Sequence, residues 1–248
     1  MSYDAGRVLG MNWRPVFDPT VVHRELEIIK NDLHCNAVRI CGRDLGRLMT
    51  AAEDGLKQDL EVWLSPEMWD RDESTTLKYI GEAARAAEQL RQRWPGHLVF
   101  SVASESTLFM RGIVPGRTIT KRVANLFRDV NAGEHVERLR AFLARANESA
   151  RRGFRGPVTY ASLPWEAVDW SLFDFVGVDH FRDARIKDRY VEMLEPLARY
   201  GKPVVVTEFG MRAYQGRRAP APSGSESSTQ GRSSCTNFPS WAGSSGPG

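Results

Sequence analysis

The chain has 248 residues, 42% of them hydrophobic, with a net charge of only +3 and a pI near 8.8. That length suits one large domain or a domain with a tail, and the apolar share is enough for a core. Basic side chains scattered over helix faces argue against nucleic acid, no apolar run is long enough for a bilayer, and MSYDAGRVLG lacks the plan of a signal peptide.

Seven short runs rich in Val, Phe or Tyr read as buried strands: 7–13, 36–42, 60–66, 97–105, 157–162, 175–181 and 203–210. Amphipathic segments separate them. Residues 19–33 show helical spacing with Pro19 in the first turn, and 74–94 begin at Ser74 as N-cap. The segment 121–152 is helix-rich and ends at Gly153, while 185–202 is predicted helical with Gly201 as its stop. Residues 165–173, WEAVDWSLF, hold no more than a helical turn. Cys35 and Cys41 flank the second strand as small core residues. With Cys235 they make neither a disulfide framework nor a zinc site, so the reading is a reduced, cytoplasmic protein with no cofactor.

Strands alternating with helices at about 30 residues per unit argue for parallel βαβ units, and eight such units make a (β/α)8 barrel. A doubly wound sheet is the alternative, but no Gly-rich phosphate loop follows the first strand. The barrel domain is expected over 1–215. Beyond it Ser, Gly, Pro and Arg dominate, with no strand-like run and no helical period. Residues 216–248 therefore read as a disordered tail, or as a terminus that is truncated or out of its original frame, and the barrel as incomplete, lacking its eighth strand.

KPVVVTEFG, residues 202–210, ends a buried strand on a carboxylate, Glu208. In a parallel barrel the C-terminal strand ends form the active face. Glu105, at the end of the fourth strand, lies about three βα units away, which places the pair across the mouth. Two opposed carboxylates are what glycosidic bond cleavage needs. Asn12 and Trp13 at the end of the first strand, Glu67 after the third, Trp165 after the fifth, and Asp179 and His180 at the end of the sixth are candidate substrate contacts. Each has a plainer reading. Trp13 stacks on sugar or packs at the rim; Glu67, and Trp165 with Glu166, line the mouth or are simply solvated; His180 is a core histidine and Asp179 a turn cap. The apolar LFMRGIVPG stretch (108–116) is a mouth loop or a packed connector.

The strand-four glutamate together with TEFG on the seventh strand resembles the clan A (4/7 superfamily) glycoside hydrolases. That resemblance implies Glu105 as acid/base, Glu208 as nucleophile, and Arg39 of NAVRI as the nucleophile's support. The clan has asparagine before the strand-four glutamate; here Ser104 stands in that place. More closely, DLHCNAVRI, LEVWLSP, LFMRGIVPG and GVDHFRD resemble an actinobacterial group of barrels often labelled abortive infection proteins. The readings carried forward are a retaining glycosidase with a carbohydrate substrate; a metal-dependent barrel isomerase or hydrolase using Glu67, Glu105, Asp179, His180 and Glu208; and a non-catalytic barrel in phage defence or binding.

Overall fold

The computed structural model describes residues 1–8, 11–126, 132–182 and 186–210. The expected tail, 216–248, and any eighth strand lie outside the described residues. In chain order the elements are β1 (Ser2–Asp4), a small hairpin of β2 (Arg7–Val8) and β3 (Met11–Asn12), α1 (Pro19–Glu27), β4 (Ala37–Gly42), α2 (Leu45–Lys57), β5 (Glu61–Pro66), α3 (Glu73–Arg93), β6 (Leu98–Ser104), α4 (Ser106–Phe109), α5 (Ile119–Leu126), α6 (Ala132–Gly153), β7 (Val158–Ser162), β8 (Val176–Asp179) and β9 (Val204–Glu208). No helix among them is long and apolar enough to cross a membrane.

Seven strands make one sheet in the order β1-β4-β5-β6-β7-β8-β9, every neighbouring pair parallel. β4 and β9 are five places apart in that order. In a flat sheet they would stand about 24 Å from each other. Yet the Arg39 guanidinium of β4 donates to Glu208 of β9 at 2.9 Å. The sheet must therefore curl round, as an incomplete (β/α) barrel does.

Side-chain alternation fills the two faces. Val38, Ile40, Val62, Leu64, Phe100, Val102 and Val176 point outward and are buried with the helix layer. The inward set closes the bottom of the barrel with Ala37, Trp63, Val99, Phe175 and Val205. Two residues further along each strand, that face turns polar: Arg39, Ser65, Ser101 and Thr207 are all buried. Gly177 of β8 sits in this layer, where an added Cβ would come 2.3 Å from the Tyr160 carbonyl oxygen. Gly177→Ala is expected to cost about 1–3 kcal/mol, read as a lower urea midpoint at unchanged m-value.

Four expectations need correction. The run 7–13 is not the first barrel strand. That place belongs to Ser2–Asp4, paired with Arg39–Cys41, while 7–8 and 11–12 form the antiparallel hairpin. A three-residue strand with one apolar side chain, Tyr3, is too short to show as a hydrophobic run. α2 is a helix the strand-by-strand reading passes over. The cap of α3 is Asp72, whose carboxylate accepts from the Thr75 N–H, with the Ser74 hydroxyl donating to that carboxylate. Finally, the described part of 185–202 is not one α-helix: residues 186–194 form turns, and Glu195–Tyr200 is a 3-10 helix. Proline has no N–H to donate and its ring clashes with the preceding turn, so an α-helix cannot run through position 196.

Candidate active site

Glu208 has the wrong parity for a barrel interior. Val205 and Thr207 face inward, so a regular strand would turn residue 208 to the helix layer. Between Val206 and Glu208 the register against β8 slips: Val178 pairs Val206, and Asp179 pairs Glu208. The extra residue is a bulge, which re-aims a side chain. Both Thr207 and Glu208 then reach inward: the Thr207 hydroxyl donates to Asp179 at 2.6 Å while Glu208 meets Arg39. β6 repeats the device. Ser101 pairs Thr159 but Ser104 pairs Ala161, one residue too many on β6. Ser104 reaches Asp179 with its hydroxyl at 3.4 Å, and Glu105 follows in the left-handed region at φ 45°. That conformation costs a non-glycine residue about 1–2 kcal/mol, and such strain gathers at functional sites.

The result is a carboxylate cluster at the C-terminal end of the sheet. One oxygen each from Glu105, Asp179 and Glu208 lies within 4.8 Å of the others. Beneath it Arg39, 2% exposed, donates to Glu208 at 2.9 Å, to the Ser65 hydroxyl at 3.0 Å and to Glu67 at 3.2 Å. Burial pushes the Glu105 pKa well above the ordinary carboxylate range, and the charges of Asp179, Glu208 and Glu166 push it further. Asp179 is raised to about 7, by burial first and then by Glu208, with Arg39 and the Thr207 hydroxyl opposing. The site thus holds protons near neutrality on one side and an ion pair on the other.

Arg39 carries one charge for two carboxylates. Its longer contact is to Glu67, which burial raises to about 8. A carboxyl whose folded pKa exceeds its ordinary 4.5 binds more protons folded than unfolded, so stability falls as pH climbs from that value through about 8. Glu67→Gln is expected to flatten that decline and to exceed wild type above pH 8. Urea midpoints from pH 5 to 9 check it; parallel curves for the two proteins would refute it.

Of the sequence-predicted residues, the structure brings together Arg39, Glu67, Glu105, Asp179 and Glu208. His180 lies beside them in the chain, 3% exposed, its backbone N–H donating to the Glu208 backbone carbonyl and its ring stacked 4.4 Å from Tyr190. Burial lowers its pKa. Asn12 ends β3 of the hairpin and Trp13 follows it, so neither ends a barrel strand, and Trp165 lies in the loop after β7; Trp13 and Trp165 are 45% and 49% exposed. The stretch 108–116 is a packed connector: Met110, Ile113 and Val114 are buried, and the fully buried Arg122 donates to the Leu108 and Gly116 carbonyls and to Asp70. Sequence reasoning missed the polar partners Ser65, Thr207 and Tyr160. Inward parity flags the first two once the strands are set, whereas Tyr160 sits on the outward face and carries no such signal.

No protein-family model and no curated protein sequence matches the chain. Solved structures do. A β-1,4-mannanase of family GH113 superposes with TM-score 0.52 at 15% identity, over 74% of this chain and 64% of that one. A family 5 glycoside hydrolase from Prevotella bryantii B14, in complex with a xyloglucan tetradecasaccharide, gives 0.52 at 11% identity, over 85% and 75%. The catalytic domain of a mannanase from Streptomyces sp. SirexAA-E gives 0.53 at 15%, over 86% and 66%. The chain spans just under two thirds of both mannanases. At these identities the likeness is one of fold: an incomplete barrel like that of the clan A glycoside hydrolases.

Proposed function

We propose that the protein is a retaining glycoside hydrolase acting on β-linked glycans, with Glu105 as acid/base and Glu208 as nucleophile. The observation that carries this reading is the approach of the two carboxyls to within 4.8 Å. That is near the roughly 5–5.5 Å of retaining enzymes and well short of the roughly 6.5–9.5 Å that inversion needs for a water. Their environments differ in the direction the chemistry requires. Arg39 stands beside Glu208, and the surroundings of Glu105 favour its proton.

In the first step a Glu208 oxygen attacks the anomeric carbon as the glycosidic C–O bond breaks, and Glu105 gives its proton to the departing oxygen. In the second, Glu105 as carboxylate takes a proton from water, whose oxygen forms the new bond to the anomeric carbon and releases Glu208. Asp179, held by Thr207 and Ser104, is assigned with Asn12, Trp13, Trp165 and His180 to the surrounding sugar contacts. The mannan and xyloglucan handled by the structural neighbours define the first substrates to try.

The test is hydrolysis of mannan, xyloglucan oligosaccharides and aryl β-glycosides, with the first-formed anomer read by proton NMR. Retention is expected, together with covalent labelling of the Glu208 peptide by a 2-deoxy-2-fluoro glycoside. An inverted product, or a label on another residue, would overturn the assignment. The three-carboxylate cluster also suits a divalent cation, which favours the metal-dependent hydrolase as a second reading. Arg39 already supplies a cation there, and Glu67 is committed to it. Activity lost to a chelator and restored by Mg²⁺ or Mn²⁺ would select that reading. Binding without turnover would select the non-catalytic barrel, whose phage-defence role rests on sequence resemblance.

A further inference from the structure

Glu105 has two duties that conflict. It is the N-cap residue of α4, and its carboxyl belongs to the mouth. The first N–H groups of a helix have no partner within it, and a cap residue ordinarily accepts from them with its own side chain. Glu105 makes no such bond. The Ser106 N–H instead donates to the Tyr160 hydroxyl at 2.7 Å, and the Thr107 N–H to Glu166 at 3.1 Å. Tyr160 in turn donates to Glu166 at 2.9 Å, and the Leu163 N–H fixes the same carboxylate at 2.9 Å. The chain thus hangs its left-handed turn from β7 and from the loop after it.

We infer that Glu166 and Tyr160 are positioning residues for Glu105: they satisfy the N–H groups that the turn would otherwise draw onto Glu105 itself, and so leave its carboxyl turned into the mouth. The inference rests on the glycosidase reading for its consequence in catalysis, though not for its geometry. Without Glu166, the carboxylate nearest in the chain to the Thr107 N–H is that of Glu105. Hydrogen bonds to a carboxylate favour the ionised form, so the acid would lose both its direction and its proton. The charged groups facing Glu105 are Asp179 from β8, Glu208 from β9, Glu166 from the loop after β7, and Arg39 from β4. Glu166 is thus also one of three carboxylates whose charge helps Glu105 keep a proton. Tyr160 is fully buried and phenylalanine fits its space, so its hydroxyl can be removed alone.

The experiment is a carboxyl ¹³C NMR titration of Glu105 in protein labelled at glutamate, its resonance assigned by loss in Glu105→Gln. Glu166→Ala and Tyr160→Phe are each expected to lower the midpoint by roughly one pH unit. Glu166→Gln, which keeps an acceptor for the Thr107 N–H but not the charge, is expected to fall between wild type and Glu166→Ala. In turnover, Glu166→Ala and Tyr160→Phe are expected to lower kcat more than about tenfold, with KM nearly unchanged and the alkaline limb moved to lower pH. An unmoved midpoint in both would overturn the inference. So would equal shifts in Glu166→Ala and Glu166→Gln with none in Tyr160→Phe, since Glu166 would then act through charge alone. If Glu166→Ala does not fold, the remaining two variants decide by the same rule. The titration needs no turnover, so a wild type that hydrolyses nothing would end the glycosidase reading while the midpoints still judge the positioning.

Discussion

Glu105→Gln is expected to lower kcat on unactivated β-glycosides by about 10²–10⁴-fold, the range one proton-transferring group contributes. Glutamine keeps the size and reach of the side chain and removes only the proton. The wild type should lose activity as pH rises through the raised pKa of Glu105, because the acid is then ionised; in the variant that alkaline limb should be gone. Departure of a glycosidic oxygen requires protonation, whereas a dinitrophenolate leaves without it. Aryl glycosides with such leaving groups should therefore show a much smaller deficit in the first step. Kinetics across a leaving-group series make the check. A variant equal to wild type on unactivated substrates would remove Glu105 from the mechanism, whatever its distance from Glu208.

Arg39→Met is expected to destabilise the protein by about 3–5 kcal/mol, the usual cost of removing one partner from a buried ion pair. The guanidinium is the cation on which Glu208 and Glu67 both rest, and Asp179 beside them is only 1% exposed. Burial alone would weaken Arg39's hold on its proton, but the charges of the carboxylates around it, Glu208 first, more than reverse that. Methionine fills much of the same space, so the loss measures charge rather than cavity. The effect should depend on pH. Near pH 5 the carboxyls left without a cation can take up protons and the deficit should be small; above pH 8 it should be largest, because Glu67 at about 8 and Asp179 at about 7 are then ionised. Adding Glu67→Gln to Arg39→Met should recover part of it, and a double-mutant cycle from urea unfolding measures the coupling. A pH-independent loss, or one below about 1 kcal/mol, would show that Arg39 does not carry the site's charge balance.

Much of this protein is legible in the order of its residues. Short Val-rich runs alternating with amphipathic segments can bury both faces of a sheet only as parallel βαβ units, so the barrel follows from periodicity. Parallel strands all end on one side, so the carboxylates that close VFSVASE and VVVTE must share a face, and Arg39 on β4 must look into the same interior. What periodicity cannot carry is where an element departs from its period. The strand rule sends adjacent residues to opposite faces, yet Ser104 with Glu105, and Thr207 with Glu208, reach the same carboxylate cluster. Two bulges and one left-handed residue make that possible, and they are set by the hydrogen-bond registers of β6 on β7 and β8 on β9. β1 escaped notice because three residues with one apolar side chain make no run, and Tyr160 because a hydroxyl that serves another residue's backbone leaves no spacing of its own. Which residues are candidates for the chemistry is thus written along the chain. Where their atoms point is decided between strands, because register and the satisfaction of buried N–H groups are properties of the packed sheet and of no single segment.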